Sequence, residues 1–182
     1  LRSLETQLNP HFLFNALNSI AELIHHDKDK AEMAVLKVSA FLRNSMNEKA
    51  LLCLEDEIRN VKDYVELENI RFSGKIKLHI EGRPKNWSIP KFSIQLLVEN
   101  AIKHGYNPAK EQLNIWLSFD DAKKIIILKN DGNAMKSQKF GVGLSNLNQR
   151  VELLCHGKIE IIDTLEPTFY IYVGDCNENI NC

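Results

Sequence analysis

Hydrophobic and polar positions follow a helical period up to about residue 70 and a period of two through much of the remainder. At ~100° per residue, Leu13, Leu17, Ile20 and Ile24 share one side of a first helix, and His11, Asn15 and Asn18 cluster on the opposite side. Upstream, Leu1, Leu4 and Leu8 lie on another azimuth, nearer the His11 line. Pro10, lacking a backbone donor, interrupts the ladder between the two stretches. His26-Asp27-Lys28-Asp29-Lys30 is a charged turn in which Asp27 or Asp29 suits an N-cap. Ala34, Val38, Phe41 and Leu42 then mark a second amphipathic helix. Such a hairpin has little core of its own and gains most by pairing into a four-helix bundle, so a homodimer is expected. A third helix starts near Leu54-Glu55-Asp56-Glu57, whose acids suit the positive end of the helix dipole, and runs to about Ile70. Ser73-Gly74 ends it.

Beyond that point Ile76, Leu78 and Ile80 alternate with polar residues as a half-buried strand should, and Gly82-Arg83-Pro84 reads as a turn. Pro90 to Gly105 reads as a helix with proline at its start and glycine at its end. Leu113, Ile115, Leu117 and Phe119 alternate into a strand, and Ile125 to Leu128 return as a more fully buried one. Asn130 to Phe140 carries no hydrophobic period. Gly141-Val142-Gly143 leads into a helix with Leu144, Leu147, Val151 and Leu154 facing inward. Strands around Ile159–Ile162 and Phe169–Val173 complete an α+β sandwich with a mostly antiparallel sheet. The expected division is 1–71 helical, 72–176 sandwich and 177–182 a flexible tail.

Composition excludes several classes. With 182 residues, 44% of them hydrophobic, the chain can build one or two small cores. Its 23 Lys and Arg against 24 Asp and Glu are dispersed, so direct nucleic-acid binding is not indicated. Cys53, Cys155, Cys176 and Cys182 form no C-x-x-C pair, and reduced thiols in a reducing compartment are expected. No apolar run approaches the ~18 residues needed to cross a bilayer, and no signal-peptide pattern is present. The chain opens inside a helical pattern without Met or cap, which reads as a piece of a longer protein.

Three stretches carry candidate chemistry besides His11, which is either a surface histidine on a kinked helix or one presented to an incoming reagent. On the Pro90–Gly105 helix, Ile94, Leu97, Val98, Ala101 and Ile102 form the core face. Glu99, Asn100 and Lys103 gather on the far side, with His104 at the flank. An acid, a carboxamide and an ammonium within one turn can order a water or accept a proton, ligate a hard cation such as Mg²⁺, and hold a phosphate. A solvated helix face is the plainer reading. Gly141-x-Gly143 opening a helix can admit a phosphate to backbone N–H groups, or can simply form a turn. Asn130-Asp131-Gly132 can read an adenine edge, or likewise only turn the chain. His25, His26, His79 and His156 show no metal-ligand pairing, and Trp87 and Trp116 read as packing.

Taken in order, these motifs resemble one family. Asn9-Pro10-His11-Phe12-Leu13-Phe14-Asn15 is similar to the phosphoacceptor motif of LytS-type sensor histidine kinases. Leu97-Val98-Glu99-Asn100-Ala101-Ile102-Lys103-His104-Gly105 is similar to their asparagine-containing ATP motif. Asn130-Asp131-Gly132 and Gly141-Val142-Gly143-Leu144-Ser145-Asn146 stand at their two glycine motifs. Tyr64–Phe72, Phe41-Leu42-Arg43 and Pro90–Gln95 resemble the linking segments, so the likeness covers about residues 3 to 173.

The resemblance implies a dimerising helical hairpin followed by an ATP-binding domain of the Hsp90 and gyrase kind, with ATP and Mg²⁺ as cofactors. His11 would be phosphorylated, Asn15 would orient its imidazole, Glu99 would orient or deprotonate the attacking group, and Asn100 would ligate Mg²⁺. Lys103, His104, Gly132, Gly141, Gly143 and Leu144 would border the nucleotide. Asn130 or Asp131 would read adenine, because Asn130 stands where the wider family has an aspartate. Phe12 replaces the acid that many histidine kinases place after the acceptor, and Ala134 leaves the first glycine motif incomplete. The implied partners are a second copy and a response regulator. The implied location is the cytoplasmic portion of an inner-membrane sensor, tethered through segments absent from this sequence. The alternative function is a catalytically inactive, dimeric nucleotide-binding signalling module.

Overall fold

Asp27 separates the first two helices, α1 (Pro10–His26) and α2 (Lys28–Ser45), and caps the second by accepting from the Lys30 N–H at 3.0 Å. In this computed structural model residues 10–46, 49–82 and 87–176 are described, except for the side chains of Pro10, His11 and Ser45. Leu1, Leu4, Leu8, Arg83, Pro84 and the expected tail at 177–182 lie outside the described residues. The order continues β1 (Leu51–Cys53), α3 (Leu54–Arg71), β2 (Ile76–Glu81), β3 (Ser88–Pro90) and α4 (Ser93–Asn100). A π-helical segment (Ala101–Gly105) follows α4. Then come β4 (Leu113–Asp120), β5 (Ile125–Asn130), α5 (Val142–Cys155), β6 (Lys158–Asp163) and β7 (Thr168–Tyr172).

The chain divides into two compact units, Leu1–Glu48 with Lys62–Gly74, and Lys49–Val61 with Lys75–Cys182. The helix α3 contributes to both. In the first unit the beginning of α1 meets the end of α2, with the Phe12 and Phe41 rings 5.0 Å apart, so the two helices are antiparallel. Tyr64 of α3 packs on Phe12 at 4.9 Å. The buried face of α1 is therefore Phe12, Ala16 and Ile20, not the expected Leu13–Leu17–Ile20–Ile24 stripe. Leu17 is 55% exposed and Ile24 50%. Helical period alone offers two apolar stripes here, and the aromatic contacts select the one turned inward.

The second unit holds a five-stranded sheet in the order β2-β4-β5-β7-β6 and a two-stranded pair β1-β3. β2 runs parallel to β4, and the other neighbours are antiparallel. Alternation buries Leu113, Ile115 and Leu117 on β4 and Phe169 and Ile171 on β7. Ile94, Leu97 and Val98 of α4 and Leu144, Leu147 and Val151 of α5 are buried as well. Pro90 does not open a helix as its position suggested. It ends β3 and pairs with Leu51, and α4 starts only at Ser93. The short strands β1 and β3 are too brief to leave a period in the sequence.

Cysteine usage also departs from expectation: Cys155 and Cys176 are joined in a disulfide, and Cys53 is disulfide-bonded too. Glycines allow this approach. A Cβ on Gly174 would lie 2.4 Å from the Cys155 carbonyl oxygen, and one on Gly157 would lie 2.0 Å from that of Tyr172. Chain segments crossing so closely bring residue 176 back to the end of α5. Among the described residues no helix is long and apolar enough to cross a membrane.

Candidate functional site

The helix that carries Glu99 and Asn100 is held at its start by another element. Phe92, its N-cap residue, adopts the left-handed region (φ 64) and offers no side-chain cap. Glu57, on the portion of α3 that belongs to the same unit, supplies the missing acceptor. Its carboxylate takes the N–H groups of Phe92 at 3.0 Å, Ile94 at 3.0 Å and Gln95 at 3.2 Å. Glu57 is fully buried, and burial pushes its carboxyl up to about 7 against the pull of those N–H groups and the Arg150 charge. Arg150 of α5 donates to the Lys91 carbonyl at 2.6 Å, and burial lowers both cations while Glu57 opposes the shift. One turn into α4, Gln95 Nε2 donates to Glu99 Oε1 at 2.9 Å. From the sequence, Glu57 reads as a first-turn acid of its own helix, and nothing local reveals a bond 35 residues away.

At its far end α4 widens into the π-helical segment, a feature frequent at functional positions. Glu99 and Asn100 are half-buried there, and Lys103 and His104 are exposed. Gly105 closes the segment against the loop after β5. A Cβ on Gly132 would lie 2.4 Å from Gly105 Cα, and a Cβ on Gly105 would lie 3.0 Å from Asn130 Oδ1. Two glycines at this crossing let backbone pass backbone. Asn133 N donates to the Gly105 carbonyl at 2.9 Å and ties the loop down.

Asn130 and Asp131 face different surroundings. Asn130 is buried (1% exposed), accepts from Gly132 N at 3.1 Å in an Asx turn, and lies against Gly105. Asp131 turns to β4, where its carboxylate accepts from the Asn114 N at 2.8 Å and Nδ2 at 2.7 Å.

The third motif meets α4 from the side. Leu96 Cδ1 stands 3.8 Å from where a Gly143 Cβ would be, and a Cβ on Gly141 would touch nothing within 4 Å. Packing therefore does not demand glycine at 141, and its φ of -73 does not either. Gly141 is the N-cap of α5 and offers no side-chain cap, so the helix end presents backbone alone. The Leu144 side chain is buried, which leaves only its main chain for a ligand.

His11 and Asn15 belong to the first unit, on α1. His11 stands in the first turn of that helix; its side chain lies outside the described residues. Asn15 lines a small cavity with Phe12, Ala16, Ser19, Leu67, Glu68 and Arg71. Glu68 is buried there and accepts from Tyr64 Oη at 3.2 Å and Arg71 Nη2 at 2.7 Å. Sequence reasoning singled out neither residue of that ion pair.

Five strands with three glycine-bearing segments gathered about α4 make an α+β sandwich, a fold shared with histidine kinase domains of known structure. The histidine kinase domain of a blue-light activated kinase from Erythrobacter litoralis shares the fold. Its TM-score is 0.51 at 14% identity, with 94% of this chain and 91% of that chain covered. The Histidine kinase family profile matches residues 1–76. Sensor protein LytS of Bacillus anthracis is 30% identical over 94% of this chain and 33% of its own length. The LytS protein of Streptococcus mutans is 33% identical over 85% of this chain and 30% of its own length. The chain belongs to the sensor histidine kinases of the LytS type. It spans about a third of the length of the curated relatives it matches.

Proposed function

We propose that this chain is the kinase core of a sensor: it binds Mg-ATP beside α4, phosphorylates His11 and passes the phosphoryl group to a response-regulator aspartate. The observation that carries this reading is the gathering of three separated motifs about one helix. Glu99 and Asn100 lead into a π-helical end, Gly105 interlocks with Gly132, and Gly141 is left bare where packing asks for no glycine. Nucleotide phosphates would lie against the bare start of α5, with Lys103 and His104 adding charge and hydrogen bonds. Both side chains already hold protein partners, Asn130 with Gly132 N and the Pro167 carbonyl and Asp131 with Asn114. Asn130 is assigned the adenine contact because it lies against Gly105 at the end of the α4 stretch, whereas Asp131 turns to β4.

The donor set suits Mg²⁺. No group of three His, Cys, Asp or Glu side chains converges among the described residues. Mg²⁺ is commonly held by one or two protein oxygens plus substrate phosphates, and the Asn100 carboxamide oxygen would supply the protein ligand. When bound, the ion would offset charge on the phosphates. In the transfer an imidazole nitrogen of His11 attacks the γ-phosphorus in line. The N–P bond forms, the bond to the bridging oxygen breaks, and ADP leaves with the electron pair. Glu99 would orient the imidazole or take its proton.

A second copy is the expected partner of the helical unit. Phe14 is 67% exposed beside Leu17 and Ile24 on α1, and Met33 and Leu36 are exposed on α2. Such apolar area on a hairpin is covered in a four-helix bundle. The deciding experiment incubates the protein with Mg²⁺ and γ-labelled ATP beside His11→Gln. Acid-labile, base-stable label on the parent alone is expected. Nucleotide binding with no label on either would refute the kinase reading and leave a nucleotide-binding signalling module.

A further inference from the structure

The reading above gives Gln95 no part, yet this side chain is built tightly into α4. It is 2% exposed, its backbone N–H is one of the three held by Glu57, and its Nε2 reaches Glu99 Oε1 at 2.9 Å. Its own Oε1 is buried and finds no hydrogen-bond partner among the described residues. Exchanging the two amide atoms would not relieve this, because an oxygen would then face the Glu99 carboxylate. A buried oxygen without a donor is unfavourable. A side chain that only filled this volume would do so better without it, so the bond to Glu99 has to account for the amide.

We propose that Gln95 is a positioning residue for Glu99 in phosphoryl transfer, which rests on the kinase reading above. Glu99 is half-buried on a long, rotatable side chain. A fixed donor one turn earlier restricts its carboxylate to one arrangement, so that less order has to be imposed when the reacting groups assemble. Glu57 completes the arrangement by fixing the turn of α4 from which Gln95 projects.

The test compares the parent, Gln95→Leu, Glu99→Gln and the double variant. The readouts are single-turnover His11 labelling at saturating Mg-ATP, the ATP concentration for half-saturation, and the thermal midpoint. Gln95→Leu is expected to slow labelling about tenfold. Half-saturation should stay within about twofold, and the midpoint should not fall, because an orphaned oxygen has been removed. The double variant should be no slower than Glu99→Gln alone, since Gln95 acts through Glu99. A fully active Gln95→Leu protein, or a double variant slowed by the product of the single effects, overturns the proposal. So does a rate loss that only tracks a lowered midpoint. A parent that takes no label overturns the kinase reading and this role together, whereas a labelled parent beside an equally fast Gln95→Leu overturns this role alone.

Discussion

Glu57→Gln tests the account of how α4 is anchored, through the dependence of stability on pH. Burial raises the Glu57 carboxyl from 4.5 to about 7 in the folded protein. Between those values the native state holds a proton that the unfolded chain has lost. Its contribution to stability is therefore fully present below pH 4.5 and is lost as pH rises through about 7. A displacement from 4.5 to about 7 corresponds to about 3 kcal/mol, at most ~1.4 kcal/mol per pH unit. In the glutamine variant one oxygen can still accept from Ile94 and Gln95, but the amide nitrogen then meets the Phe92 N–H and leaves it without an acceptor. A lost buried hydrogen bond of this kind costs about 1–3 kcal/mol. The variant should thus be clearly less stable than the parent near pH 4.5. The gap should shrink or close toward about pH 8, where the parent carries a buried charge. Urea unfolding at a series of pH values measures both curves. A difference that stays flat across this range, or widens as pH rises, would refute the reasoning.

Three other outcomes can be checked directly. Gly132→Ala places a Cβ 2.4 Å from Gly105 Cα, and backbone cannot yield as a side-chain tip can. A loss of about 3 kcal/mol in thermal unfolding, the upper end for overpacking, with weakened nucleotide binding, is expected. Asp131→Ala should lower stability by about 1–3 kcal/mol through its bonds to Asn114 and leave nucleotide affinity nearly unchanged. Asn130→Ala should weaken that affinity strongly, and titration with a fluorescent nucleotide separates the two. Replacing both Cys155 and Cys176 by Ala removes a disulfide that closes a 21-residue separation and should lower stability by about 3 kcal/mol in urea unfolding.

Much of this molecule is local, and what is local could be read from the chain. The period of 3.6 marked α1, α2, α3 and α5, alternation marked β2 and β4, and a glycine-terminated, asparagine-bearing stretch marked the helix about which the second unit is arranged. The motif order that identified the family depends on neighbouring residues, and a sequence records neighbours directly. Tertiary structure decided what depends on residues far apart. It chose Phe12, Ala16 and Ile20 as the buried face of α1, because Phe41 and Tyr64 stand opposite. It moved the start of α4 past Pro90, because Leu51 claims that residue for a strand. It gave Glu57 three N–H groups 35 to 38 residues away, and it set Cys155 against Cys176. Periodicity fixes which side chains share a face, and only packing decides what that face meets.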